Sequence, residues 1–239
     1  MNLRGCCLWP SAIFSFNQLA SLSSLSVNTD PWLVWQLADS AFPTGGFAHS
    51  GGLEAAWQHG EVRNRSELKE WLAASLRQIA CAALPLVNVG HSEPERLEEL
   101  DQICDAFTSN HVANRASRSQ GKALLAAAER VFARPVRQVP FGHLAPAFGV
   151  VMRDLGLARE EALRLFVFLH LRGVIGSAVR LNIVGPMEGQ TIQHQLVELA
   201  EKTVEAGLAV ALEDLAQTAP LLELWQGSQD RLYSRLFQS

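Results

Sequence analysis

Charge is what this sequence has least of. Only 18% of its 239 residues are Asp, Glu, Lys or Arg, where an ordinary globular domain carries roughly a quarter. The formal net charge of −4 provides no general attraction to nucleic acid or to an anionic membrane, so neither is expected as a partner. Cysteine is scarce as well. Cys6, Cys7, Cys81 and Cys104 show no CxxC or Cys/His spacing of a metal site, and a chain of this length does not need a disulfide framework, so reduced thiols in an intracellular setting are expected. Tyrosine occurs once, at Tyr233. The phosphate-cradling GxxxxGK[ST] loop, the GxSxG elbow, the HExxH helix and the DxDxDG calcium loop are all missing, and with them the usual signs of an enzyme. The most apolar stretch, Leu163 to Val174, is broken by His170 and Arg172 and falls short of the roughly 20 residues that cross a bilayer, so no membrane span is expected. No segment alternates with the period of two that marks a half-buried strand.

Apolar residues, in contrast, make up 48% of the chain, a surplus that soluble proteins usually cover with a partner. Their spacing is helical almost throughout. Leu68, Trp71, Leu72, Leu76 and Ile79 recur on one face after Ser66, a candidate N-cap; Leu97, Leu100, Cys104 and Phe107 form a second stripe behind Pro94; an alanine-rich block runs from Val112 to Phe132. Leu144 to Leu155 stops at Gly156, and the run from Glu160 to Leu181 is apolar nearly all round, as befits the centre of a bundle. Its Gly173 and Gly176 predict a closely approaching backbone, and a last helical region covers Glu188 to Gln217. The expected fold is all-α, a single bundle of about eight to ten helices without a sheet. Residues 1–29, Ser-rich and without an acidic residue, read as a disordered or targeting-like extension; residues 30–219 form the helical domain, and residues 220–239 a distinct apolar tail.

Four features stand out for function. Leu37 to Glu54 strings Pro43, Gly45, Gly46 and His49 between two helical stretches, a shaped turn with positive φ expected at Gly45 and Gly46. His49, His143 and His194 lie near such junctions, yet no two histidines are spaced i, i+3 or i+4, so the expectation is hydrogen bonding to nearby backbone with no metal site and no cofactor. Arg180 ends the most apolar helix, either as a C-terminal cap or, with Asn182 and Gln195, as a polar patch facing a protein. The tail from Pro220 packs Leu221, Leu222, Leu224, Trp225, Leu232, Tyr233, Leu236 and Phe237 into one short segment that must fold back on the bundle or dock into another protein; docking, with ordering on binding, is the expectation.

The Pro43–Phe47 turn followed by Gly52, Leu53 and Glu54 resembles the signature of the urease accessory protein F family. ASRSQG at 116–121, RLNIVGP at 180–186 and the carboxyl end PLLELWQGSQDRLYSRLFQS match in the same order, and the ending is most similar to the plant-type branch. The resemblance covers residues 31–239. It implies an all-α, non-catalytic and cytoplasmic adaptor that links accessory protein D (also called H) to the GTPase accessory protein G, modulates that GTPase, and so helps insert nickel into apo-urease; a homodimer through helical faces is compatible with it. It also carries partner contacts onto Arg180, Tyr233, Arg235, Leu236 and Phe237. Two other readings remain open on the residues, a nickel-binding metallochaperone and a helical enzyme with an assembled His/Arg site.

Overall fold

In the computed structural model, residues 30–135 and 137–239 are described, and among them every regular element is helical. The extension expected at residues 1–29 lies outside them. The helices are α1 (Pro31–Ala38), α2 (Leu53–Gln58), α3 (Arg65–Ala82), α4 (Leu84–Ser92), α5 (Leu97–Phe107), α6 (His111–Phe132), α7 (Leu144–Asp154), α8 (Arg159–Arg180), α9 (Pro186–Gln195), α10 (Val197–Ala209) and α11 (Pro220–Ser228). Since Ala83 alone separates α3 from α4, the bundle has ten rods when that joint is counted as continuous.

Short-range side-chain caps set three of the starts. Asp30, Asn64 and Asn110 each turn a side-chain oxygen onto the free N–H groups of the helix that follows; at α3 the acceptor is Asn64, which takes Ser66 N at 2.9 Å and Glu67 N at 3.1 Å. Ser66, the cap expected from sequence, already lies inside the helix. Pro94 opens a 3-10 turn at Pro94–Arg96, and α5 begins after it. The long final helix expected over Glu188 to Gln217 is divided at Leu196 and ends at Ala209.

Two other starts are capped from a distance. The buried Asp101 of α5 accepts from the N–H groups of Phe141, Gly142 and His143 at 2.8, 3.0 and 2.7 Å, covering the free donors ahead of α7. Likewise Gln78 of α3 accepts from Thr218 N and Ala219 N at 2.6 and 2.7 Å and so fixes where α11 begins. Gly142 and His143 are buried, so their donors have no water and Asp101 is a condition of that packing, whereas Thr218 is exposed and Gln78 there fixes position.

As expected, α8 is central, touching α1, α2, α3, α4, α7, α9 and α10. At 22 residues it is long and apolar enough to cross a membrane by length and composition, as is the α3–α4 rod, so it exceeds the stretch read from Leu163 to Val174; 56% of the most apolar α8 window is buried inside the protein, as in a core helix. The close backbone approach predicted for this helix occurs elsewhere. Nothing lies within 4 Å of the Cβ position at Gly173 or Gly176, whereas a Cβ at Gly149 of α7 would stand 2.2 Å from Val87 O, and one at Gly90 of α4 would stand 2.7 Å from Pro146 O. α4 and α7 therefore meet backbone to backbone. Gly149→Ala is expected to destabilise the fold by about 2 kcal/mol or more through overpacking, and Gly176→Ala to stabilise it by about 0.5–1 kcal/mol through helix propensity; urea unfolding of the two variants compares them directly.

His170 of α8 pairs with Ser75 Oγ of α3 at 3.0 Å, and burial pushes its pKa down to about 4. A histidine whose folded pKa lies below its unfolded value keeps the fold fully stabilised above the unfolded pKa of about 6.5 and weakens it as the pH falls toward the folded value. Between pH 6.5 and 4 the loss from this group should be on the order of 2–3 kcal/mol, and His170→Gln should flatten the decline in an unfolding series across that window.

Candidate functional site

The Pro43–Glu54 turn and the carboxyl tail, far apart in sequence, form one structure. Pro43 is exposed, and Phe42 before it stacks on Phe132 of α6 with ring centres 6.1 Å apart. Gly45 has φ 73°, as expected, but Gly46 does not; it opens a 3-10 turn at Gly46–Ala48, and the further left-handed residues are Gly51 and Gly52. Gly52 is tightly determined. Its φ is 87°, and a Cβ would sit 2.8 Å from the backbone N of Gln226, so α11 passes at a distance only glycine allows.

Glu54, on the first turn of α2, is 2% exposed. Its carboxylate accepts from Gln229 Nε2 at 2.6 Å, Leu236 N at 2.6 Å and Phe237 N at 3.0 Å, and all three donors belong to the tail. Ser50 extends the junction: its N–H and hydroxyl both donate to Ser239 O, at 2.5 and 2.8 Å. His49 Nδ1 lies 2.8 Å from Ser239 Oγ, and Gln238 N donates to Ala48 O at 2.8 Å. Burial, helped by the charge of Arg115, lowers the His49 pKa from its ordinary value and so favours the neutral ring. On the other side, Arg180 donates to Phe47 O while its guanidinium lies 4.0 Å from the centre of the Phe237 ring. Burial lowers the Arg180 pKa from its ordinary value, and the Glu54 charge opposes that shift.

The tail thus folds back onto its own bundle, the alternative to the ordering on a partner expected from sequence. Phe237 is 3% exposed, and Trp225 packs against His59 in a tilted pair with ring centres 5.0 Å apart. Tyr233 and Leu236 point outward, together with Phe47, which is 70% exposed. Arg235 pairs with Asp230 at 2.9 Å within the tail. Arg180, Asn182 and Gln195 do not hydrogen-bond to one another among the described residues. Asn182 adopts φ 58° and ends α8: its N–H meets Val179 O and the next N–H meets Ala178 O, both at 3.0 Å, the closure that favours Gly or Asn. Gln195 instead accepts from Arg65 and Lys69 of α3, at 3.3 and 3.2 Å.

The histidines take separate partners. His143, fully buried ahead of α7, sits between Ser117 Oγ and Asp105 Oδ1, both at 3.1 Å, and not against backbone as expected; hydrogen bonds from Asn114 and then His143 hold the Asp105 carboxyl below its ordinary range. His194 lines an exposed groove between α8, α9 and α10. Among the described residues no group of three or more His, Cys, Asp or Glu side chains is placed to hold a metal ion. Burial pushes the Cys104 thiol up to about 12, which makes it a poor nucleophile. Sequence reasoning missed Glu54 as the centre of the site, although an acid set between a glycine pair and an apolar helical run was a visible signal.

An all-helical protein whose terminal tail is latched to a glycine-rich turn, leaving an aromatic and aliphatic rim outside, has the form of an assembly component. The UreF family model matches residues 62–197, more than half of the chain. The sequence is similar to urease accessory protein F of Oryza sativa subsp. indica, 39% identical over 86% of this chain and 84% of that protein. It is similar to urease accessory protein F of Arabidopsis thaliana, 39% identical over 87% of this chain and 92% of that one, and to urease accessory protein UreF of Bacillus sp. (strain TB-90), 27% identical over 86% and 97%. The chain belongs to the UreF family of urease accessory proteins.

If Glu54 holds the tail, Glu54→Ala should speed hydrogen exchange at the Leu236 and Phe237 amides by about 100-fold, since loss of the acceptor strands buried donors at a cost of about 1–3 kcal/mol each. Glu54→Gln should fall between, because an amide oxygen still accepts. Unchanged exchange in the alanine variant would remove Glu54 from the centre of the latch.

Proposed function

We propose that this protein is a non-catalytic, cytoplasmic adaptor of urease maturation that joins accessory protein D/H to the GTPase accessory protein G, so that nickel passes into apo-urease. The observation that carries the reading is the exposed rim around the latched tail. Phe47, Tyr233 and Leu236 are 70%, 105% and 59% exposed, on segments that Glu54 and Arg180 hold in place. Aromatic groups carried on a backbone that is already fixed make good interface anchors because the segment need not be ordered on binding. Arg180 and Phe237, used inside the latch, act in this reading by presenting the rim. A partner on this face would also be positioned to modulate GTP hydrolysis by G.

A second reading, a homodimer, is favoured by α8. Gly173 and Gly176 leave a helix surface with open space above it, and the neighbouring α1, which packs on α8, exposes Trp32 and Trp35 at 74% and 60%. Small residues let a second backbone come close, and the tryptophans add apolar area to such a contact.

Capture assays with purified D/H and G test the adaptor. Combined Phe47→Ala, Tyr233→Ala and Leu236→Ala should weaken capture of at least one of them by tenfold or more while thermal unfolding stays unchanged, and urease activation should fall in step. Full capture and activation by the triple variant would exclude the rim. Failure of the native protein to capture either accessory protein, with activation proceeding without it, would exclude the adaptor itself.

A further inference from the structure

One face of α6 carries basic side chains at a helical repeat. His111, Arg115, Arg118 and Lys122 stand at i, i+4, i+7 and i+11, and all four line a groove of about 550 Å³ together with Thr108, Ser109, Asn114 and Ser119. At 1.5 Å per residue the stripe is about 16 Å long. It occurs in a protein whose formal net charge is −4, so it is a local concentration and not a sample of a basic surface.

The two ends of the groove differ. At the His111 end a carboxylate is already in place: Asp230 accepts from Arg115 at 2.9 and 3.1 Å, lies 3.3 Å from His111 Nε2 and pairs with Arg235 at 2.9 Å. Arg115 before the others holds the Asp230 carboxyl below its ordinary range. At the other end neither Arg118 nor Lys122 is in an ion pair among the described residues. Both are nevertheless held. The Arg118 guanidinium lies 5.1 Å from the centre of the Phe141 ring, and the Lys122 stem runs over Gly142, where a Cβ would stand 2.8 Å from Lys122 Cγ. Asp105, whose carboxyl feels the Arg118 charge, is already hydrogen-bonded to Asn114 and His143.

We propose that the Arg118–Lys122 half of this groove docks an acidic segment of a protein partner, whose carboxylates repeat the contact that Asp230 makes with Arg115. Arg118 and Lys122 are one helical turn apart, a spacing of about 6 Å that suits two carboxylates placed i, i+4 on a partner helix or at alternate positions of an extended strand. Stacked and supported cations lose less freedom on binding than free surface ones, and arginine's fork suits a planar carboxylate. This inference rests on the groove and not on the urease reading.

The probe is a fluorescein-labelled octaglutamate peptide followed by anisotropy with the full chain, so no urease component is present and either reading can fail alone. The expected result is saturable binding that weakens at least fivefold between 50 and about 300 mM salt, and at least tenfold in Arg118→Gln/Lys122→Gln. Arg130→Gln, at the far end of the same helix, should bind as the native protein does, and circular dichroism melting should confirm that the variants are folded. Should the double variant disturb the fold, Lys122→Gln alone, at an exposed position, should still weaken binding about threefold. Labelled octaglutamine and inorganic triphosphate are the other arms. No binding of octaglutamate, equal binding by octaglutamine, undiminished binding by the folded double variant, or preference for triphosphate would each overturn the proposal.

Discussion

A carboxylate sealed from water must be given donors, and Glu54 takes all of its side-chain hydrogen bonds from residues 175 to 183 positions further along the chain. The rest of the site depends on that requirement. With Leu236 N and Phe237 N committed to Glu54, Phe237 is placed beneath Arg180; with Arg180 placed, Phe47 O gains its donor and the glycine turn closes. Ser50, His49 and Ala48 complete the seam against Gln238 and Ser239. A burial that no single contact would stabilise becomes favourable because the Glu54 carboxylate, Ser50 and the terminal backbone groups are matched, and in the seam only Gln229 Oε1 is left buried without a partner among the described residues.

The same device recurs where the bundle is assembled. Asp101 covers the N–H groups ahead of α7, and Gln78 those ahead of α11, each from a helix more than 35 residues away in sequence. Backbone contact between α4 and α7 at Gly90 and Gly149 draws α7 inward, and a helix end drawn inward cannot leave its donors to solvent. Tight glycine packing and distant capping are two sides of one constraint.

What could be read in the sequence follows from the range of the forces involved. The periodicity of Leu68 to Ile79 and the all-round apolar character of Leu163 to Ile175 are local, and they correctly indicated an all-α bundle with α8 at its centre. Start signals were partly legible: Asn64 outcompeted Ser66 as the α3 cap because its oxygen reaches two N–H groups at once. The glycines misled, since a small residue marks either a close contact or an open face, and sequence does not distinguish Gly149 from Gly176. Asn182 looked like a recognition residue and serves as the left-handed closure of α8. The fate of the tail depended on Glu54, whose partners are too distant for any pattern to show.

The latch also shapes how any binding to the tail can act. Tyr233 and Leu236 are carried on a segment whose neighbours on both sides are tied down, by Asp230 to Arg115 and Arg235 and by Phe237 to Glu54 and Arg180. A ligand gripping that segment therefore meets a surface already ordered, and its affinity carries no large ordering cost. Conversely, a ligand that needs the tail displaced must break the seam at Glu54 first, and the same free energy then opposes it. Since Arg115 belongs both to the α6 stripe and to the ion pair that holds Asp230, occupation of the groove and the position of the tail share a residue.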